Sequence, residues 1–192
     1  MDTNPTDLLV SSLQRRMRTM HSLYYQAVDS MDVEHVNHFE REGVLPIAFS
    51  LFHYTNMEDV CFMLITGEAP VWNADWQSRV EMTIDDHGKH RTVDEMIHQR
   101  IGRYGAFKEY QRTVFDRTEA HLDAIDPSEL TRVLIERPFP PQVASTYSAR
   151  CAGAEGITVL DGFECWHYQH GLRHMGEIEL ARGLVGLGGM TS

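Results

Sequence analysis

What the chain lacks removes several classes of function at once. No apolar run reaches the ~18 residues that a membrane-spanning helix needs. The opening Met1-Asp2-Thr3-Asn4-Pro5-Thr6-Asp7 carries neither the charged nor the apolar region of a secretory signal, so a cytoplasmic protein is expected. Basic residues are few: 17 Lys and Arg against 28 Asp and Glu give a formal net charge of −11. That balance argues against a nucleic-acid partner, which needs a basic face to displace counterions, and against an anionic membrane surface. The three cysteines (Cys61, Cys151, Cys165) form no CxxC pair, and their odd number leaves one over if two were bridged. Free thiols in a reducing compartment are the simpler reading. Internal repeats, low-complexity tracts and convincing period-2 alternation are also absent.

What is present is helical periodicity. At 192 residues and 42% hydrophobic, the chain fits a single domain over residues 1–192 with a sizeable core. Leu9, Leu13, Met17, Met20, Leu23, Tyr24, Ala27, Val28 and Met31 recur at helical spacing and predict a first helix from about Pro5 to Met31. A second runs from about Gly43 to Ile65, with Pro46 in its first turn and Gly67 ending it. A third begins at Thr92, an N-cap with Glu95 three residues on, and extends to about Ile125, where Gly102 and Gly105 would bend or loosen it. The fourth spans Phe163 to Gly183. Between the second and third lies a long connection, Glu68 to Thr92, whose Trp72 and Trp76 would pack as a lid or as one wall of a pocket. Ser128 to Ile135 fits a short helix or strand, Arg137 to Pro141 cannot be regular helix, and Gln142 to Asp161 reads as ordered loop. Four long amphipathic stretches predict an all-α fold, an antiparallel four-helix bundle with long connecting loops.

The eleven histidines are unevenly placed. His35, His38, His87, His90, His98 and His121 sit in polar surroundings, where a solvated imidazole is expected. His21 has apolar neighbours at helical spacing and reads as a buried, hydrogen-bonded core residue. His170 and His174 are four apart, one helical turn, and so face the same way, a spacing that lets two imidazoles bind one divalent ion. His167 lies about 60° from His170 around an ideal helix, Glu177 about 20° to the other side and Cys165 about 140° away. Phe163, Trp166, Ile178 and Ala181 share that half of the helix, so the cluster faces inward. On the second helix His53 projects from a stripe with Phe49, Met57, Val60 and Leu64. Bundles build metal sites in the core from facing helices, and this inference links His53 to His170 and His174. A satisfied core histidine remains the alternative at each position.

With these residues in hand, the chain resembles the DinB/YfiT-like superfamily of metal-binding four-helix bundles. The resemblance rests on Phe52-His53-Tyr54 followed by Leu64-Ile65-Thr66-Gly67-Glu68 and Val71-Trp72-Asn73. It continues through Asp75-Trp76-Gln77-Ser78-Arg79-Val80 and ends on His170-x-x-x-His174-Met175-Gly176-Glu177. The last is like the family's His-x-x-x-His-Arg-Gly-Gln, with Met175 where Arg is common and Glu177 where Gln is common. The resemblance implies a metal triad of His53, His170 and His174, holding zinc or nickel with open coordination positions.

Three neutral imidazoles with an open position make a Lewis-acid site. The leading expectation is a metal-dependent enzyme that activates a small-molecule thiol, as mycothiol- or bacillithiol-using branches of the superfamily do, or else water. Glu177 would orient a ligand or accept a proton, and Trp72, Trp76 and Trp166 would line the pocket. The alternative is a non-catalytic, stress-associated metal-binding bundle, distinguished by a closed, dry core around the histidines. A homodimer is compatible with residual apolar helix faces.

Overall fold

The computed structural model describes residues 5–190; residues 1–4 of the segment read for a secretory signal lie outside them. The chain is mostly helical, with one small two-stranded sheet. In order, it forms α1 (Pro5–Asp29), α2 (Val33–Val36), α3 (Ile47–Thr66), α4 (Ala74–Val80), α5 (Val93–Met96) and α6 (Tyr104–Ala124). A 3₁₀ turn (Pro127–Thr131), β1 (Val133–Glu136), α7 (Pro141–Ala144), α8 (Tyr147–Cys151) and β2 (Gly156–Thr158) follow. The last stretch starts as α9 (Val159–Asp161), widens into π-helical turns over Gly162–Gln169 and returns to α-helix as α10 (His170–Leu184). α3 packs on α10 and on the π-helical segment, α1 on α6, and α3 on α6. No helix among the described residues is long and apolar enough to cross a membrane.

Local chemistry explains where the elements end. Gly67 caps α3 in the left-handed region (φ 79°) and returns its N–H to the Met63 carbonyl at 2.8 Å. Pro46 stands just ahead of α3 as its N-cap rather than inside its first turn.

The helix expected from Thr92 to Ile125 is interrupted. Thr92 and Glu95 do form a capping box, but the helix stops at Met96 and resumes at Tyr104. Side-chain amides satisfy the backbone between: Gln99 bonds the Ile84 N–H (2.8 Å) and carbonyl (2.9 Å), and Asn37 does the same for Ile101 (2.8 and 2.9 Å). Gly102 meets Glu81 so closely that a Cβ there would lie 2.8 Å from the Glu81 carbonyl oxygen. Its role is this close approach, not a helix bend. The segment read as loop from Gln142 holds α7, α8 and β2, and β2 pairs antiparallel with β1, Val133 opposite Thr158.

The interior where the long helices meet is charged at its centre. His21 (α1) and Glu58 (α3) are both fully buried. Glu58 accepts hydrogen bonds from Tyr54 Oη (2.5 Å) and Thr118 Oγ1 (2.7 Å), and its Oε1 lies 3.2 Å from His21 Nε2. His21 Nδ1 bonds Glu119 at 2.7 Å, and Phe115 stacks on the imidazole with ring centroids 4.0 Å apart. His21 thus is the buried, hydrogen-bonded histidine expected. Burial alone disfavours the imidazolium, but Glu58 and Glu119 outweigh it and raise the pKa of His21 from 6.5 to about 9. Burial likewise works against the Glu58 carboxylate, yet His21 and its hydrogen bonds hold it down at about 2.

A proton bound more tightly in the folded than in the unfolded chain stabilises below the unfolded pKa, and that contribution is lost as pH rises through the folded one. Removing one partner of a buried pair costs about 3–5 kcal/mol. Urea denaturation of Glu58→Gln is therefore expected to show a loss of that size near pH 6. The gap to wild type should narrow as pH rises from 6.5 through about 9; a gap constant over that range would contradict the charged assignment of His21.

Candidate metal centre

The π-helical turns end where the histidine pair begins, so His170 and His174 both lie on regular α-helix, one turn apart. Their Nε2 atoms face each other at 2.9 Å. α10 can approach α1 and α3 this closely because position 171 has no side chain: a Cβ on Gly171 would run into Met20 Sδ and, at 2.7 Å, the Tyr54 ring. Tyr24 Oη adds a hydrogen bond to the Gly171 carbonyl (2.9 Å). The same approach brings α3 alongside, with the His53 ring centroid 4.7 Å from that of His174 and 5.4 Å from that of His170. One nitrogen from each of the three lies within 4.8 Å of the other two.

Ligand nitrogens on a tetrahedral ion with bonds of about 2.0–2.1 Å stand roughly 3.3 Å apart. The three nitrogens, within 4.8 Å of one another, are near that spacing, and the donor set suits zinc or nickel alike. The orienting contacts also fit. His174 donates from Nδ1 to Glu177 Oε2 at 2.6 Å, and Ser50 Oγ donates to the same oxygen at 3.3 Å. His53 Nδ1 bonds the His87 carbonyl. In both rings the far nitrogen is bound to protein, which fixes the tautomer and leaves Nε2 for a ligand role. Glu177 thus touches the nitrogen pointing away from the cluster centre, so it orients His174.

The loop that supplies the His87 carbonyl is shaped by Gly88. Its φ is +75°, and a Cβ there would come within 2.7 Å of the Phe49 ring. Phe49 in turn stacks on His53, centroids 5.3 Å apart. Asp86 accepts from the Gly88 N–H (2.6 Å) and from Arg91 (2.7 Å), which holds the turn. No side-chain pattern marks a backbone carbonyl as an orienting group, so the sequence carried no signal for this contact beyond the glycine in Asp85-Asp86-His87-Gly88.

The electrostatics keep His53 and His170 neutral. Burial, then the neighbouring His174, lowers the pKa of His53 to about 4. Burial and both neighbouring imidazoles drive His170 far below its usual range. The hydrogen bond from His174 holds the Glu177 carboxyl below its ordinary value. At neutral pH His53 and His170 therefore present lone pairs.

A cavity of about 620 Å³ opens beside the triad and is lined by His53 and His170 but not His174. Trp166 and Cys165 form part of its wall. Trp72 and Trp76, expected there too, lie elsewhere: both pack on Tyr110 (4.8 and 5.7 Å), and the backbone N–H groups of Val71 and Trp72 donate to buried Asp59, each at 2.8 Å. They cover the core. The α3 stripe of Met57, Val60 and Leu64 faces the cavity rather than the core. Among the histidines expected in solvent, His87 and His90 line this cavity, and His121 packs between Phe62 (5.3 Å) and Phe163 (5.9 Å). His167 turns away from the triad and bonds the Glu58 carbonyl at 3.1 Å. Burial raises the Cys165 thiol to about 12, with Cys151 contributing, so it is not a thiolate nucleophile.

No family model matches the chain, and no curated protein matches its sequence. Its fold is similar to the crystal structure of a conserved protein from Enterococcus faecalis, with a TM-score of 0.72 over 96% of this chain and 99% of that one, at 15% identity. At that identity the likeness is one of fold.

Loss of an orienting partner commonly weakens a metal site by roughly 10–100-fold. Glu177→Ala, at an exposed position, is expected to lower zinc affinity by that factor in competition with a chromogenic chelator. An unchanged affinity would show that His174 needs no such support.

Proposed function

We propose that this chain is a metal-dependent enzyme of the DinB/YfiT-like kind, whose four long helical stretches form an antiparallel bundle around a zinc or nickel ion held by His53, His170 and His174. The observation that carries the reading is the convergence of three imidazole nitrogens within 4.8 Å beside an open cavity of about 620 Å³. That volume is typical of small-molecule sites. A divalent ion so held would supply Lewis acidity, which favours the deprotonated form of a thiol or water at its open face. The protein's own residues then do the rest. The His87 carbonyl and Glu177 aim His53 and His174. Phe49 and Gly88 keep the loop seated on His53. The cavity admits the substrate, and a small-molecule thiol is the leading reactant, ahead of water.

The second reading, a metal-binding bundle without turnover, called for a closed core around the histidines. The cavity reaching His53 and His170 favours catalysis over it.

Elemental analysis of protein prepared without a histidine tag tests the proposal. About one divalent ion per chain is expected, lost in each of His53→Ala, His170→Ala and His174→Ala while far-ultraviolet dichroism stays native. A wild-type protein that neither carries an ion nor takes up added zinc or nickel would overturn it.

A further inference from the structure

The cavity beside the triad has a composition at odds with the chain around it. Asp and Glu outnumber Lys and Arg by 28 to 17 overall, yet among the described residues neither Asp nor Glu lines the cavity, whereas Lys89 and Arg173 do. Both are exposed, and neither forms an ion pair among the described residues. Arg173 stands at the histidine end, whereas the charge of Lys89 is felt at Cys61, beside Val60 on α3. Lys89 follows the His87-Gly88 turn whose carbonyl bonds His53, and an Arg173 nitrogen lies 3.4 Å from His174 Nε2. The nearby carboxylate of Glu177 is engaged by His174 and Ser50.

Away from that end the α3 side of the wall is apolar, while Gln142, Thr146 and Ser148 add uncharged polar groups elsewhere. His53, Met57, Val60 and Leu64 fall on one stripe of α3, which at 1.5 Å per residue runs about 16 Å. Met57 and Val60 are half-buried, and Leu64 is 53% exposed for want of a covering side chain. Ile135, Val143 and Trp166 also line the space. The cavity therefore combines two cations with an apolar stripe on α3, and no described acidic side chain lines it.

We infer that this cavity binds an amphipathic organic anion, its acidic head held between Lys89 and Arg173 and its apolar tail along Met57, Val60 and Leu64. The inference rests on the proposed metal site only in naming what is delivered to it, because neither cation is a candidate ligand. Two cations on a cavity wall attract an anion more strongly than they would on an open surface, and the one carboxylate felt by Arg173, Glu177, is already bonded to His174 and Ser50. Burying a methylene contributes about 0.8 kcal/mol, so two of them change affinity roughly tenfold.

Calorimetric titration with octanoate, hexanoate and octylammonium, on zinc-supplemented and on chelator-treated protein, tests this. Octanoate is expected to bind at least tenfold tighter than octylammonium and roughly tenfold tighter than hexanoate. Lys89→Gln combined with Arg173→Gln should abolish the preference for the anion, and Leu64→Asp should weaken octanoate alone among variants that leave both cations in place. Equal binding of octanoate and octylammonium, octanoate affinity insensitive to the double substitution, or no octanoate binding at all would each overturn the inference. The two proposals fail separately. Absence of metal with the anion preference intact would sink the triad, whereas metal retained without that preference would sink the anion site.

Discussion

Glu58 sits out of reach of water with its charge intact, and the packing of the long helices follows from the partners this demands. A buried carboxylate is tolerated only when it is paired and hydrogen-bonded. α1 supplies His21, α3 supplies Tyr54, and α6 supplies Thr118 together with Glu119 on the far side of the imidazole. The last stretch joins through His167, which bonds the Glu58 main chain. Each long element thus contributes a group that fits only in one register, and a slide of any of them would strand a charge. The candidate metal site is built on this floor, with the Tyr54 ring 5.8 Å from that of His170.

The same side chain is used in two opposite electrical states a short distance apart. His21 lies between two carboxylates and is held as a cation, whereas His53 and His170 are surrounded by other imidazoles and apolar walls and are held neutral. Burial presses all three towards neutrality; the neighbours decide the outcome. A protonated imidazole cannot ligate a metal, and Glu58 and Glu119, which hold His21 protonated, act on neither His53 nor His170. Tyr54 and Gly171 stand between the two sets.

Much of this was legible as periodicity. The helical spacing of His53, His170 and His174 against apolar neighbours brought together residues from distant parts of the chain, and the structure brings the same three together. Periodicity names a face but not what it looks at, so Met57, Val60 and Leu64 read as core stripe when they border open space. It also assumes one pitch. The wider turns before His170 rotate Cys165 and His167 away from their ideal-helix angles, while the residues from His170 onward keep theirs. The break after Met96 was illegible for a different reason: it depends on Gln99 and Asn37 standing in for backbone partners, a long-range event with no local signature. Trp72 and Trp76 showed that the long connection packs, but not on which side of the molecule.

The His87-Gly88 turn distributes tolerance to substitution unevenly between two adjacent positions. The group that steers His53 is the main-chain carbonyl of His87, which every amino acid possesses. Position 87 can therefore change its side chain and keep the steering contact. Position 88 has no such freedom, since its left-handed backbone and its seat on Phe49 both exclude a Cβ. A residue that never touches the triad thus carries the stricter constraint for one of its three members, while the histidine beside it adds only a side-chain bond to the Lys89 N–H.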